Sequence, residues 1–156
     1  MNSPQELQSL LQAELATLQT LHTAIEVEHE ALLANTPEPL ESATQSKLQA
    51  ISGHAEQQAR RLAWMQDQGL DDGLPFQELL EKIGGNAELG SLQQALASLA
   101  ENCQDGNRRN GTLILRLQDR AQSALDILRG DEPGGDIYSL SGAREHRNDG
   151  RSLGKA

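Results

Sequence analysis

Along the N-terminal part of the chain, leucine and isoleucine recur in steps of four and three or their sums: Leu7, Leu11, Leu18, Leu21, Ile25 and Leu32. That spacing is a heptad seam and predicts one unbroken helix to about Ala34, because no Gly or Pro interrupts it. Ser3-Pro4-Gln5-Glu6 supplies the start. Ser3 and Glu6 have capping-box spacing, and Pro4 sits at the first helical position, where a missing N–H costs nothing. At ~1.5 Å per residue the helix is roughly 45 Å long, a bundle length rather than that of a compact globule.

Asn35 to Pro39 reads as a short turn. A second seam follows, Leu40, Thr44, Lys47, Ile51, His54, Gln58, Leu62 and Met65, closed by Gln68-Gly69. So short a connection makes the two helices an antiparallel hairpin. Gly73, Pro75, Gly84 and Gly85 then interrupt the chain and leave only Pro75 to Ile83 with helical spacing. A third long helix is expected from about Ala87 to Arg129, its seam running Leu89, Leu92, Leu96, Leu99, Cys103, Leu113, Leu117, Ala124 and Ile127. Its middle holds weak helix formers: Asn102, Gly106, Asn107, Asn110 and Gly111. Two explanations stand there: a helix that bends locally, or small residues that admit close packing. After Gly130 the chain is rich in Gly and polar residues. Its apolar residues Ile137, Tyr138, Leu140 and Leu153 are too few to offset ordering at ~1–2 kcal/mol per residue. The expected architecture is therefore all-α: an elongated bundle over residues 1–130 and a flexible C-terminal tail over 131–156.

Composition agrees. Val27 is the single valine, and Trp64, Phe76 and Tyr138 are the only aromatics, a poor set for strands. Thirteen basic against 23 acidic residues give a net charge of −10, which repels nucleic acid and anionic membranes. The N-terminus lacks the charged and apolar regions of a signal peptide, and no stretch approaches the ~20 apolar residues of a membrane span. One cysteine excludes an internal disulfide, and the cytoplasm is the expected location.

Candidate chemistry is thin. His22, Glu26 and His29 share a helical face, and Glu26 and His29 have the Glu-x-x-His spacing of di-iron bundles. Such sites need a second copy on a facing helix, which the sequence lacks, so a solvated polar face is expected. His54 invites comparison with phosphotransfer histidines, but Gln57 stands where a lysine would be and the seam turns His54 inward. Cys103 has no histidine near it and lies on the apolar seam, as a small buried hydrophobe would. No phosphate loop, nucleophile elbow or zinc spacing is present. The expectation is a protein that binds other proteins, with no catalytic residue, metal or cofactor.

The polar residues on the seams say more. Glu14 and Glu28 occupy positions where leucine is expected, Lys47 lies on the second seam and Arg61 beside it. Folding the hairpin about its turn brings Glu28 near Thr44 and Lys47, and Glu14 near Gln58 and Arg61. A carboxylate there is costly without a partner, so paired structural layers that pin the register are expected; the alternative is a solvated rim.

These residues carry a resemblance. Glu14, Leu18, Leu21, Glu28, Ala31 and Leu32, then Lys47 and Arg61, then Asn107-Arg108-Arg109-Asn110-Gly111 with Leu113, then Tyr138-Ser139 with Gly142 and the ending Gly150 to Ala156, resemble the FlgN family of flagellar type III export chaperones. The resemblance implies a cytoplasmic chaperone for the hook-associated proteins FlgK and FlgL. It would keep their C-terminal segments soluble and present them to the export gate component FlhA. Carried over residue by residue, it implies client contacts at Asn107, Asn110, Leu113 and Leu117, and an export-gate contact at Tyr138. An incomplete bundle whose missing apolar face is supplied by a client helix fits the residues as well. So does a generic coiled-coil adaptor, which would pair with a folded partner or with itself.

Overall fold

The computed structural model describes residues 4–130. Among them stand four helices and no strand: α1 (Pro4–Ala34), α2 (Pro37–Asp67), α3 (Phe76–Ile83) and α4 (Ala87–Arg129). By its contacts the chain divides at Ile114/Leu115, inside α4. The expected tail over 131–156, with Tyr138, lies outside the described residues, as does Ser3 of the expected capping box.

Chain direction reverses at only two residues. The N–H of Asn35 donates to Ala31 O at 3.1 Å and Leu32 O at 3.2 Å, and Asn35 turns the backbone through a positive φ of 52°. Asparagine tolerates that conformation better than most residues. Thr36 is extended, as a residue before proline should be. The expected turn to Pro39 is thus too long. Pro37 opens α2 and Pro39 lies in its first turn, where the backbone N–H groups have no intrahelical acceptor to lose.

Within the first unit, Leu7, Leu11, Glu14, Leu18, Ile25, Glu28 and Leu32 of α1 are all buried. Side-chain pairs along the hairpin run in opposite senses: Trp64 bonds Glu6, Arg61 bonds Glu14, and Lys47 bonds Glu28. Pairs between α1 and α4 rise together (Gln8 with Glu88, Leu18 with Cys103, Ile25 with Asn110), so α4 runs parallel to α1. Leu7, Leu11, Met65, Leu70, Leu79, Ile83 and Leu89 belong to one apolar cluster. Each fully buried side chain of this kind contributes about 1.5–3 kcal/mol. Gly84 ends α3 in the left-handed conformation at φ 68°, and the N–H of Gly85 closes the cap on Leu80 O at 2.8 Å.

Two seams differ from their expected register. On α2 the structure buries Ala43 and Ala50 while Ile51 is 45% exposed and Gln58 lies in solvent. With lysine and arginine on the seam, the small alanines let the backbones approach, and the buried face turns by about one residue. On α4, Leu89, Leu96, Cys103, Gly106 and Asn110 are buried, so the heptad runs unbroken through the polar stretch. Beyond Leu115 no described residue is buried. Leu117 is half-buried, and Ala124 and Ile127, expected on the seam, are exposed.

Gly106 and Gly111 separate the two explanations for that stretch. A Cβ at Gly106 would lie 2.9 Å from Ile25 Cγ2, whereas at Gly111 it would meet nothing within 4 Å. Gly106 is therefore a packing residue. Gly106→Ala is expected to destabilise by about 1 kcal/mol, the cost of overpacking offset in part by helix propensity. Gly111→Ala should instead stabilise by about 1 kcal/mol. Urea denaturation of the two variants should give opposite signs; two stabilising changes would refute the close approach.

Candidate functional site

Three helices converge on Glu28, which is 1% exposed. Its Oε1 accepts from Lys47 Nζ at 2.9 Å and Asn110 Nδ2 at 3.0 Å, and its Oε2 from Thr44 Oγ1 at 3.4 Å. Lys47 also donates to Asn107 Oδ1 at 3.2 Å. Asn110 is wholly buried, and its second amide proton goes to Ile25 O at 2.9 Å. Its Oδ1 accepts from His29 Nδ1 at 3.1 Å and Arg109 Nε at 3.4 Å. A buried carboxylate so supplied with donors locks the register of three helices at once. No buried side-chain nitrogen or oxygen among the described residues lacks a partner.

Two heptads earlier on α1, Glu14 receives the Nε of Arg61. Beside it Thr17 Oγ1 lies 3.1 Å from His54 Nδ1. The structure thus brings together both pairs named from sequence, Glu28 with Lys47 and Glu14 with Arg61.

The four residues named as client contacts part company. Asn107 is exposed, Leu113 and Leu117 are half-buried, and Asn110 is sealed inside the Glu28 layer, away from any surface open to a client. The face of His22, Glu26 and His29 is also less solvated than expected. Glu26 pairs with Arg109 at 3.0 Å and His29 with Asn110. Among the described residues no cluster of His, Cys, Asp or Glu could hold a metal ion. Burial pushes the Cys103 thiol up from its ordinary pKa, and Sγ reaches Leu18 O at 3.8 Å, the setting of an inert thiol.

Sequence reasoning missed Asn110 and Gly106 as seam residues. Carrying the alternation of three and four from Cys103 to Leu113 would have placed both. It also missed the apolar exposure of the end of α4: Leu115 is 67% exposed, Leu125 45%, Ile127 61% and Leu128 82%. These large apolar side chains form an exposed patch on one helical segment.

No described helix is long and apolar enough to cross a membrane. A family model described as FlgN protein matches residues 1–146. No curated protein and no solved structure gave a match.

Proposed function

The chain belongs to the FlgN family of flagellar export chaperones, and on that premise we propose that it binds the C-terminal helical segments of FlgK and FlgL in the cytoplasm. It keeps them soluble and delivers them to the export gate component FlhA. The observation that carries this reading is the end of α4, where Leu125, Ile127 and Leu128 are exposed at 45%, 61% and 82%. A client helix that covers them gains burial at about 25 cal/mol per Å2 of apolar area. Leu117 belongs to the same surface; Asn107 and Leu113 are proposed as client contacts in their own right, with Asn110 holding Asn107's neighbourhood from within the Glu28 layer.

The work assigned is binding, and no catalytic step is part of it. The domain division proposed with it is a chaperone body over 1–130 and an arm over 131–156 that carries Tyr138 to the gate.

Calorimetric titration of the full chain with peptides from the FlgK and FlgL C-termini tests the reading. One-to-one binding is expected for at least one of them. Tyr138→Ala should leave that titration unchanged and weaken association with the cytosolic part of FlhA. No heat with either peptide, at concentrations where a folded partner does bind, would favour an adaptor instead.

A further inference from the structure

Charge is distributed unevenly along this acidic chain. Residues 1–105 hold four Lys and Arg against sixteen Asp and Glu, a net of −12, whereas residues 106–129 hold five against two, a net of +3. Three of those five cations, Arg116, Arg120 and Arg129, lie with Asp119 and Asp126 in the exposed apolar end of α4, a net of +1.

The arrangement around the helix is more telling than the count. In the part of α4 beyond Leu115, Leu117, Ala121, Ala124 and Leu128 recur at steps of four, three and four, and so form one stripe. Leu125 and Ile127 widen it on either side. At 100° per residue, Arg116 and Arg120 fall along the Ile127 edge of the stripe and Arg129 beside its Leu125 edge. Asp119 and Asp126 fall on the far side of the helix. Arg116, Arg120 and Arg129 are exposed and make no ion pair among the described residues. Asp126 is already engaged, accepting from Gln122 Nε2 at 2.8 Å.

We propose that Arg116 and Arg120, with Arg129 opposite, are specificity-determining residues that select an amphipathic helix with carboxylates flanking its apolar stripe. This rests on the client-surface reading above and adds to it the charge that the client must carry. In paired helices the residues bordering the apolar seam face their counterparts on the partner, and opposite charges there choose partner and orientation. Among the described residues the three arginines form no ion pair, and although Asp119 and Asp126 each lie three residues from an arginine, both sit further round the helix from the stripe than the arginines do. An anionic bilayer is the other surface that a basic amphipathic helix could meet. The net charge of −10 opposes it at range. That charge acts alike on a second copy and on an acidic client at range; what favours the client helix is the pairing of its carboxylates with arginines along the stripe edges at contact.

The test uses the full chain and three synthetic amphipathic peptides with one apolar stripe and Glu, Gln or Lys at the flanking positions. Fluorescence anisotropy is expected to rank Glu before Gln before Lys, with about tenfold or more between the extremes at low salt. The gap should shrink toward 1 M salt as screening removes it. Charge reversal, Arg116→Glu with Arg120→Glu, should invert the order without changing helix content or Tm, and Arg116→Lys with Arg120→Lys should largely preserve it. Equal affinities for the Glu and Lys peptides would overturn charge selection while leaving the client surface intact. Failure of all three peptides and of the FlgK and FlgL peptides would overturn the client surface itself. Tighter binding to vesicles of anionic lipid than to any peptide, or self-association blocked by the two reversals, would assign the arginines to another occupant and overturn the proposal.

Discussion

Glu28→Ala is expected to lower the free energy of unfolding by about 3 kcal/mol, far more than any exposed ion pair of this chain could cost. The carboxylate it removes is 1% exposed and accepts from Lys47, Asn110 and Thr44 on two other helices. Its loss strands an ammonium that is only 14% exposed. Breaking a buried pair from one side costs about 3–5 kcal/mol because the remaining charge is left unpaired. Here the lower end applies, since Lys47 keeps Asn107 Oδ1 at 3.2 Å and Asn110 keeps Ile25 O. The exposed pair Arg60–Glu56 is the control, and Glu56→Ala should change stability by no more than about 0.5 kcal/mol. Urea denaturation of both variants decides the matter, and a Glu28→Ala loss below about 0.5 kcal/mol would place the layer in solvent. A complementary variant, Glu28→Leu with Lys47→Leu and Asn110→Leu, asks what the layer is for. If its value is register rather than stability, this protein should unfold at higher denaturant than the wild type and lose its fixed helix alignment.

The helices were legible in sequence because their signals are local. Proline at the first position, glycine or asparagine at the last, and apolar residues at steps of three and four act within a turn or two. Pairing of Glu28 with Lys47 was legible too, since even the longer turn expected over Asn35 to Pro39 is short enough to fix the register of a hairpin to within a turn of helix. What composition hid, and only the three-four spacing from Cys103 to Leu113 could have shown, was the buried face in the middle of the third helix. Nothing in the composition of Asn107-Arg108-Arg109-Asn110 says that one asparagine is sealed in the core while its neighbour three residues away faces water. That depends on α4 running parallel to α1, a relation set through the long connection Gln68 to Asn86 rather than by a turn. Ile51 misled for a related reason. Hydrophobicity favours isoleucine for burial, but a close helix–helix approach favours the smaller Ala50 beside it, and the approach prevails. The end of α4 was misread in the opposite direction. Its apolar spacing has the look of a core seam, yet beyond Leu115 no described residue is fully buried.

If that seam is the client surface, Leu125→Gln with Leu128→Gln should leave Tm within about a degree or two of the wild type and weaken client-peptide binding by about 30- to 150-fold. Exposed at 45% and 82%, the two leucines hold little of the body together. Glutamine is nearly as good a helix former as leucine, so α4 itself should persist. In a complex each leucine would move a large part of its side chain out of water, worth about 1–1.5 kcal/mol apiece on the scale of 1.5–3 kcal/mol for complete burial. Together they give about 2–3 kcal/mol, which is the stated fold-change at 1.4 kcal/mol per decade. Leu33, 64% exposed on α1, is the matched control, and Leu33→Gln should alter neither quantity. The same titration with FlgK and FlgL C-terminal peptides reads the outcome. Unchanged affinity in the double variant would move the client elsewhere on the molecule, whereas a drop in Tm of several degrees would mean that these leucines already serve the fold.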